Sequence, residues 1–424
     1  MREMKDSGIK WIGKIPLTWK IGKVKDVFTR KNEKANIENP TVLSLARSGV
    51  KVRDISNGEG QLAESYTNYN PVEINDLLLN PMDLYSGANC SVSKVEGVIS
   101  PAYINLRPKE NNNSKYYDYY LKTQYWSMAF FAHGKGVSFD NRWTLGLETA
   151  MNYYIPIPPE KEQEKIANYL DKKILGIDNI IEKTKETIED YKKYKQSIIT
   201  EAVTKGLDKN VEMKDSGIDW YEKIPNNYKV VSIKSIFRIY TGATPKTDNK
   251  ENWDGNIAWI TPSDYKTDEK YVLVGDRTIT EKGYKSCGTS LVPKGSLIFS
   301  KRAPIGTVAI SKIELCTNQG CLACVKKNDE INVEYYYYMF SGLVNEFNLY
   351  GTGTTFKEIS TTNFSDFKVL LPSKFEQNKI VDHLNKKIEN IDNLIERKVK
   401  IIEELEQYKK SLIYEYVTGK KEVI

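Results

Sequence analysis

Apolar side chains recur at helical spacing along two stretches of this chain. From Ile166 they occupy Leu170, Ile174, Ile177, Ile181, Ile188, Tyr191 and Ile198, and from Ile380 they occupy Leu384, Ile388, Ile391, Ile395, Ile402, Leu405 and Leu412. Steps of three, four and seven place each set on one narrow stripe of an α-helix, with lysine and glutamate on the other faces. The pattern predicts two helices of about 40 residues, each about 60 Å long at the α-helical rise. The proline runs "IPIPPE" and "LLPSK" just upstream suit a helix start, where proline has no needed N–H to lose. So narrow a stripe needs a partner helix. The simplest partner for each is the other, as a coiled coil with Ile166, Leu170, Ile174, Ile177, Ile181 and Ile188 facing Ile380, Leu384, Ile388, Ile391, Ile395, Ile402 and Leu405.

Elsewhere the texture changes. Short β-branched or alternating runs, punctuated by glycine and proline, predict strands: "TVLSLA", "LLLNP" and "GVISPAYINLRP" before the first helix, then "IAWITPSDY", "GSLIFSKRAPIGTVAIS" and "CLACVKK" before the second. Helical pieces, "YYDYYLKTQYWSMAFFAHG" and "VEYYYYMFSGLVNEFNLYGTG", follow each set.

This order is a repeat. "MKDSGIKWIGKIPLTWK" from Met4 returns as "MKDSGIDWYEKIPNNYK" from Met213, with eleven of seventeen positions identical at an offset of 209. The helices repeat at an offset of 214, pairing Gln163 with Gln377, Asp178 with Asp392 and Tyr194 with Tyr408. The chain therefore divides into a first strand-rich domain at 1–157, a first helical region at 158–208, a second strand-rich domain at 209–371 and a second helical region at 372–424. A two-fold axis across the helix pair would make the helices antiparallel and the molecule a pseudo-dimer in one chain. The other arrangement is two independent domain-plus-helix units on a string. The fold class expected is α+β, with two mixed, strand-rich domains joined by two long antiparallel coiled-coil helices and internal pseudo-two-fold symmetry.

Composition narrows the function. The 424 residues carry a formal net charge of +6 and include 28 tyrosines. A basic, tyrosine-rich and asparagine-rich surface suits phosphates and bases, although an AT-rich genome produces the same bias. The N-terminus has no apolar signal region and no run reaches the roughly 18 apolar residues of a membrane span, so the expected location is cytoplasmic, with no membrane partner. Five cysteines suggest reduced thiols. Cys316, Cys321 and Cys324 in "CTNQGCLAC" invite a zinc reading, but residues three apart on a strand face opposite ways, so no metal site is expected.

Catalytic motifs are missing. The lysines that follow glycine (Lys14, Lys23, Lys135 and Lys420) lead into Ile, Val, Gly and Lys, which excludes a P-loop. No proline precedes aspartate, "NPMD" at Asn80 lacks the second proline and aromatic of an amino-methyltransferase motif, and only His133 and His383 offer imidazoles.

The chain resembles the specificity subunit of type I restriction-modification enzymes. The resemblance is carried by the tandem "DSGI" openings at Asp6 and Asp215, "TGATPKTDNKENWDGNIAWITPSD" from Thr241, "KRAPIGTVAI" from Lys301, "GTTFKEIS" from Gly353, and the Pro-rich, Glu-Gln-containing starts of both helices. It covers essentially the whole chain. The first domain departs from it, with "MDLYSGANCSV" from Met82 and "GVSFDNRW" from Gly136 where the second has "RAPIGTVAI" and "GTTFKEIS".

The resemblance implies a non-catalytic subunit in which each strand-rich domain is a target-recognition domain reading one half of an asymmetric, bipartite DNA site, with the gap set by the helices. It further implies double-stranded DNA, two modification (adenine-N6 methyltransferase) subunits and restriction (motor-nuclease) subunits as partners. No cofactor is expected on this chain, and S-adenosylmethionine, ATP and Mg belong to those partners. Other readings are the recognition subunit of a fused nuclease-methyltransferase and a structural coiled-coil scaffold.

Candidate DNA contacts are side chains able to bond base edges or phosphates, in loops that follow the strand runs or adjoin glycine turns. In the first domain these are Arg47, Lys51, Arg53, Tyr85, Asn89, Ser138, Asn141 and Arg142. In the second they are Thr244, Ser263, Asp264, Lys301, Arg302, Thr354, Thr355 and Lys357. For Ser263 and Asp264 turn capping is the competing role, and for each of the others a solvated surface position.

Overall fold

The computed structural model describes residues 2–423 apart from positions 47, 56–62, 64, 83, 86–88, 139–142, 267–268, 303 and 353–356. Two compact units emerge, Met1–Thr184 with Val399–Ile424, and Lys185–Lys398. The four principal helices are α1 Ser114–Trp126, α2 Glu160–Lys205, α3 Val333–Gly342 and α4 Lys374–Val417, and both long ones contribute one end to each unit.

In the first unit β1 Phe28–Lys31, β2 Leu77–Leu79, β3 Cys90–Val92 and β4 Ile104–Pro108 form an antiparallel sheet in the order β1-β4-β2-β3. In the second, β5 Phe237–Thr241, β6 Leu297–Ser300, β7 Val308–Ser311 and β8 Cys321–Lys326 repeat that order as β5-β8-β6-β7, with the short strand Tyr271–Val272 added parallel to β7. The second unit also has a separate sheet of Arg277–Ile279, Trp253–Ile260 and Cys316–Thr317. The first instead carries a hairpin, Leu43–Ala46 with Gly49–Val52. A common scaffold thus bears different additions.

A helix lies on each sheet for the same sequence reasons. Asn113 caps α1 by accepting from the N–H groups of Lys115 and Tyr116, and Asn332 caps α3 by accepting from those of Glu334 and Tyr335. Behind each cap the apolar faces are largely tyrosine. Tyr116, Tyr117, Tyr120 and Tyr125 fill the first core, and Tyr335, Tyr336 and Phe340 fill the second. The abundance of tyrosine, which composition alone associates with base contacts, here goes largely into packing. Each ring buries a large area and brings a hydroxyl that needs a partner.

The stripe residues of the long helices lie in apolar surroundings within each unit. Within the first unit Ile166, Leu170, Ile174, Ile177 and Ile181 of α2 are buried with Ile402 and Leu405 of α4 packed against the same core. The Tyr416 hydroxyl donates to that of Tyr169 at 3.1 Å, and Lys409 pairs with Asp178 at 2.6 Å, so the two segments run antiparallel. Within the second unit Ile380 and Leu384 are buried with Ile388 against them, Ile188 and Ile391 are buried and Ile395 half-buried. There Lys195 pairs with Asp392 at 2.7 Å. The helical roles are exchanged between the two ion pairs, as the repeat requires.

Beyond the seam the helix ends enter the domain cores. Leu412, Ile413, Tyr416 and Val417 pack among Trp19 and Tyr116, and Ile199, Ala202 and Val203 among Tyr228 and Tyr335. They are core rather than spacer, which is why the compact units cut across α2 and α4. Each helix ends at a glycine in the left-handed region, Gly206 (φ +75°) and Gly419 (φ +71°), a conformation that a side chain would strain.

Cys321 and Cys324 fall into different clusters, as their strand spacing predicts, and Cys316 into a third. Burial pushes the Cys316 thiol up to about 11 and that of Cys321 up to about 12, which keeps both protonated and poor as ligands at neutral pH. Among the described residues no helix is long and apolar enough to cross a membrane.

Leu170 is fully buried while Leu175 on the same helix is 63% exposed. Leu170→Ala is expected to destabilise the full chain by about 2–5 kcal/mol and Leu175→Ala by less than about 0.5 kcal/mol. Denaturant unfolding of the two variants checks this.

Candidate nucleic-acid interface

In the second unit several loops meet at one end of the sheet. Gly242 follows β5 so closely against the next segment that a Cβ there would lie 2.1 Å from the Thr317 carbonyl oxygen, so only glycine fits. The Ala243 N–H donates to Thr317 O at 3.0 Å, Asn318 N–H to Ile260 O at 2.9 Å, Lys301 N–H to Gly320 O at 2.9 Å and Ile359 N–H to Lys301 O at 3.0 Å. Backbone bonds thus hold the segments at 242–244, 260–264, 300–302, 317–320 and 357–359 side by side. The described candidates Thr244, Ser263, Asp264, Lys301, Arg302 and Lys357 share this rim, whereas Thr354 and Thr355 lie outside the described residues.

Their surroundings separate them. Both Asp264 oxygens are used internally. One accepts from the Thr261 N–H (2.6 Å) and hydroxyl (2.7 Å), the other from the Asp276 N–H (2.9 Å), which is the capping role. Ser263 is exposed with its hydroxyl 2.8 Å from that of Thr261. The Thr244 hydroxyl donates to the Gln319 side-chain oxygen. Lys301 and Arg302 both pair with Glu358, and Lys357 is exposed. Burial acts to raise the Glu358 carboxyl, but hydrogen bonds from the two cations outweigh it and hold the group below the usual carboxylate range.

Two rim residues escaped the sequence reading. Gln319 is exposed between the cysteines of "CTNQGCLAC", a run weighed only for its thiols. Arg277 is exposed with its guanidinium 3.5 Å from the Trp253 ring centre, a flat cation held in place by stacking. Nothing in the local sequence joins Arg277 to Trp253, because their strands meet only through the sheet register.

The first unit has a different rim. Asn89 donates its side-chain N–H to Ala46 O at 2.8 Å, tying its loop to the hairpin end. Leu84 N–H donates to Trp143 O (3.1 Å) and Leu145 N–H to Pro81 O (2.8 Å), bringing Pro81 and Leu84 against the 143–145 segment. Tyr85 is 63% exposed, its ring 6.2 Å from that of Phe131. Ser138 is exposed on the neighbouring loop. Lys51 stands along the hairpin opposite Ser44, and the Arg53 N–H donates to Val42 O at 2.8 Å beyond it. Arg47, Asn141 and Arg142 lie outside the described residues. This rim presents an aromatic ring and an amide where the second presents a cation pair.

Among the described residues no group of three or more His, Cys, Asp or Glu is placed to hold a metal ion. The His133 ring packs 4.7 Å from that of Trp11 and its Nδ1 lies 2.8 Å from Ala129 O.

The family described as "Type I restriction modification DNA specificity domain" matches the chain twice, over residues 16–190 and 225–407. The chain is 40% identical over 178 residues to the type I restriction enzyme MjaIX specificity subunit of Methanocaldococcus jannaschii, a match covering 41% of this chain and 40% of that protein. It is 26% identical over 428 residues to the putative type I restriction enzyme MjaX specificity subunit of the same organism, covering 96% and 95%. Its fold is similar to that of a chain in a structure of a type I R-M system, with a TM-score of 0.75 at 15% identity covering 96% and 100%. The HsdS subunit from Thermoanaerobacter tengcongensis is also similar, with a TM-score of 0.55 at 15% identity covering 96% and 98%.

Asp264→Ala is expected to destabilise the chain by about 1 kcal/mol through loss of its cap, and Ser263→Ala by under about 0.5 kcal/mol. The denaturant midpoints of the two variants test this assignment.

Proposed function

This chain belongs to the type I restriction-modification DNA specificity family, whose subunits recognise DNA sequence and are not catalytic, and we propose that it reads a two-part target, one half through each unit. The observation that carries this reading is the repeated sheet order with unlike rims. A shared scaffold gives each unit the same way of approaching a duplex, and different side chains at the rim give each its own sequence. Thr244, Ser263, Lys301, Arg302, Lys357, Gln319 and Arg277 are the contacts offered by the second unit, and Tyr85, Asn89, Lys51, Arg53 and Ser138 those offered by the first. Lysine and arginine supply phosphate contacts or paired donors to guanine, and amides and hydroxyls supply base-edge hydrogen bonds. The two halves of the target are therefore unlike, and the long helices set the unread gap between them.

Partner docking falls to the outer faces of those helices. Ile180 and Leu394, and likewise Tyr194 and Tyr408, occupy equivalent places in the repeat and are exposed. Their recurrence at equivalent places in both helices is what supports a contact there with two copies of one partner. Two modification subunits seated there would bring S-adenosylmethionine and the adenine-N6 transfer, and restriction subunits would bring ATP, Mg and the motor.

Base-resolved adenine methylation in cells that have no other methylase, expressing this chain with its modification subunit, tests the proposal. The expected result is a bipartite motif with two unlike halves, methylated on opposite strands, in which replacing one strand-rich domain changes only one half. A single continuous motif, or a motif unaffected by the replacement, contradicts it.

A further inference from the structure

The two adjacent cations of the second rim are not free. Lys301 Nζ lies 2.8 Å from Glu358 Oε1, and Arg302 Nε lies 2.8 Å from Glu358 Oε2, so one carboxylate engages both with separate oxygens. The backbone fixes this arrangement. Arg302 and Glu358 form an antiparallel bridge, and the Ile359 N–H donates to Lys301 O at 3.0 Å. The Lys301 side chain is only 13% exposed, against 45% for Arg302 and 33% for Glu358. Two cations sharing two oxygens of one anion is also the arrangement a DNA phosphate would adopt between them.

Resting on the reading of this rim as a DNA face, we propose that Glu358 is a specificity-determining residue, a built-in competitor that holds Lys301 and Arg302 away from phosphates until a matching half-site displaces it. On non-target DNA the phosphate must replace a carboxylate already in position, so the cation pair adds little affinity. On target DNA the remaining rim contacts offset that exchange. Discrimination then comes from weakening the wrong complex as much as from strengthening the right one. The equivalent positions of the first domain's sequence carry other residues, Pro81 and Met82 after the central strand Leu77–Leu79 and Asn141 in the run that replaces "GTTFKEIS".

The test uses the full chain assembled with its modification subunits, with binding to target and non-target duplexes followed by fluorescence anisotropy across a salt series. Glu358→Gln is expected to tighten non-target binding by about tenfold at low salt and to steepen the dependence of log K on log salt by about 1, since one newly neutralised phosphate adds about 0.9 to the slope. Target affinity rises less, so the specificity ratio falls. In a Lys301→Gln/Arg302→Gln background the same change is expected to do nothing. Unchanged or weaker non-target binding by the folded Glu358→Gln complex overturns the proposal. So does an equal gain in the background lacking both cations, which would show general repulsion by Glu358 rather than restraint of its partners. If wild-type binding to every duplex is insensitive to salt, the DNA-face reading itself fails, and this inference with it.

Discussion

Each domain core is closed by the last turn of a long helix, and that closure governs how the rest of its unit is arranged. The Tyr116 hydroxyl, buried in the first core, donates to the Val417 carbonyl at 2.7 Å, and the Tyr335 hydroxyl does the same for Val203 at 2.9 Å. The last carbonyls of a helix have no intrahelical donor, and a buried hydroxyl without an acceptor is costly, so each bond satisfies two groups at once. At the other helix end a buried glutamine completes the fit. Gln163 accepts from the Asn113 N–H (2.9 Å) and donates to Pro158 O (2.9 Å), and Gln377 accepts from the Asn332 N–H (2.8 Å) and donates to Pro372 O (3.0 Å). Trp19 and Tyr228 add matching bonds to Glu162 and Glu376, each at 2.9 Å. Within each unit, the short helix that lies on the sheet thus holds the start of one long helix and the end of the other.

This explains what the sequence disclosed and what it hid. Helical stripes such as Ile166 to Ile181 are legible because a 3.6-residue period repeats over many turns. The strands were legible from short apolar runs, and the repeat from direct identity. The helix ends were not, because Ile199 and Val203, or Ile413 and Val417, look like further turns of the same stripe. Only tertiary packing distinguishes a seam residue from a core residue. The tyrosines misled for a related reason, since composition counts rings without saying which face of α1 or α3 they occupy.

At the rim, residue type alone separated the candidates poorly. Asp264 and Ser263 are adjacent and both polar, but the aspartate is consumed by three internal hydrogen bonds while the serine faces outward. Lys301 and Arg302 were legible as cations next to a glycine turn. Their carboxylate partner sits 56 positions away from Arg302 and reaches it only through the fold. Gln319 and Arg277 were hidden for the same reason, each made relevant by a neighbour that is remote in sequence.

On the proposed function, each unit's rim contacts its own half of one DNA target. Amide hydrogen exchange on the assembled methyltransferase complex, with and without its target duplex, tests it most directly. Slowed exchange on DNA binding is expected at 242–244, 260–264, 300–302, 317–320 and 357–359 in the second unit and at 84–85, 89 and 143–145 in the first, with the buried helix seams protected in both states. Protection confined to one unit, or appearing at the helices and at neither rim, would contradict it.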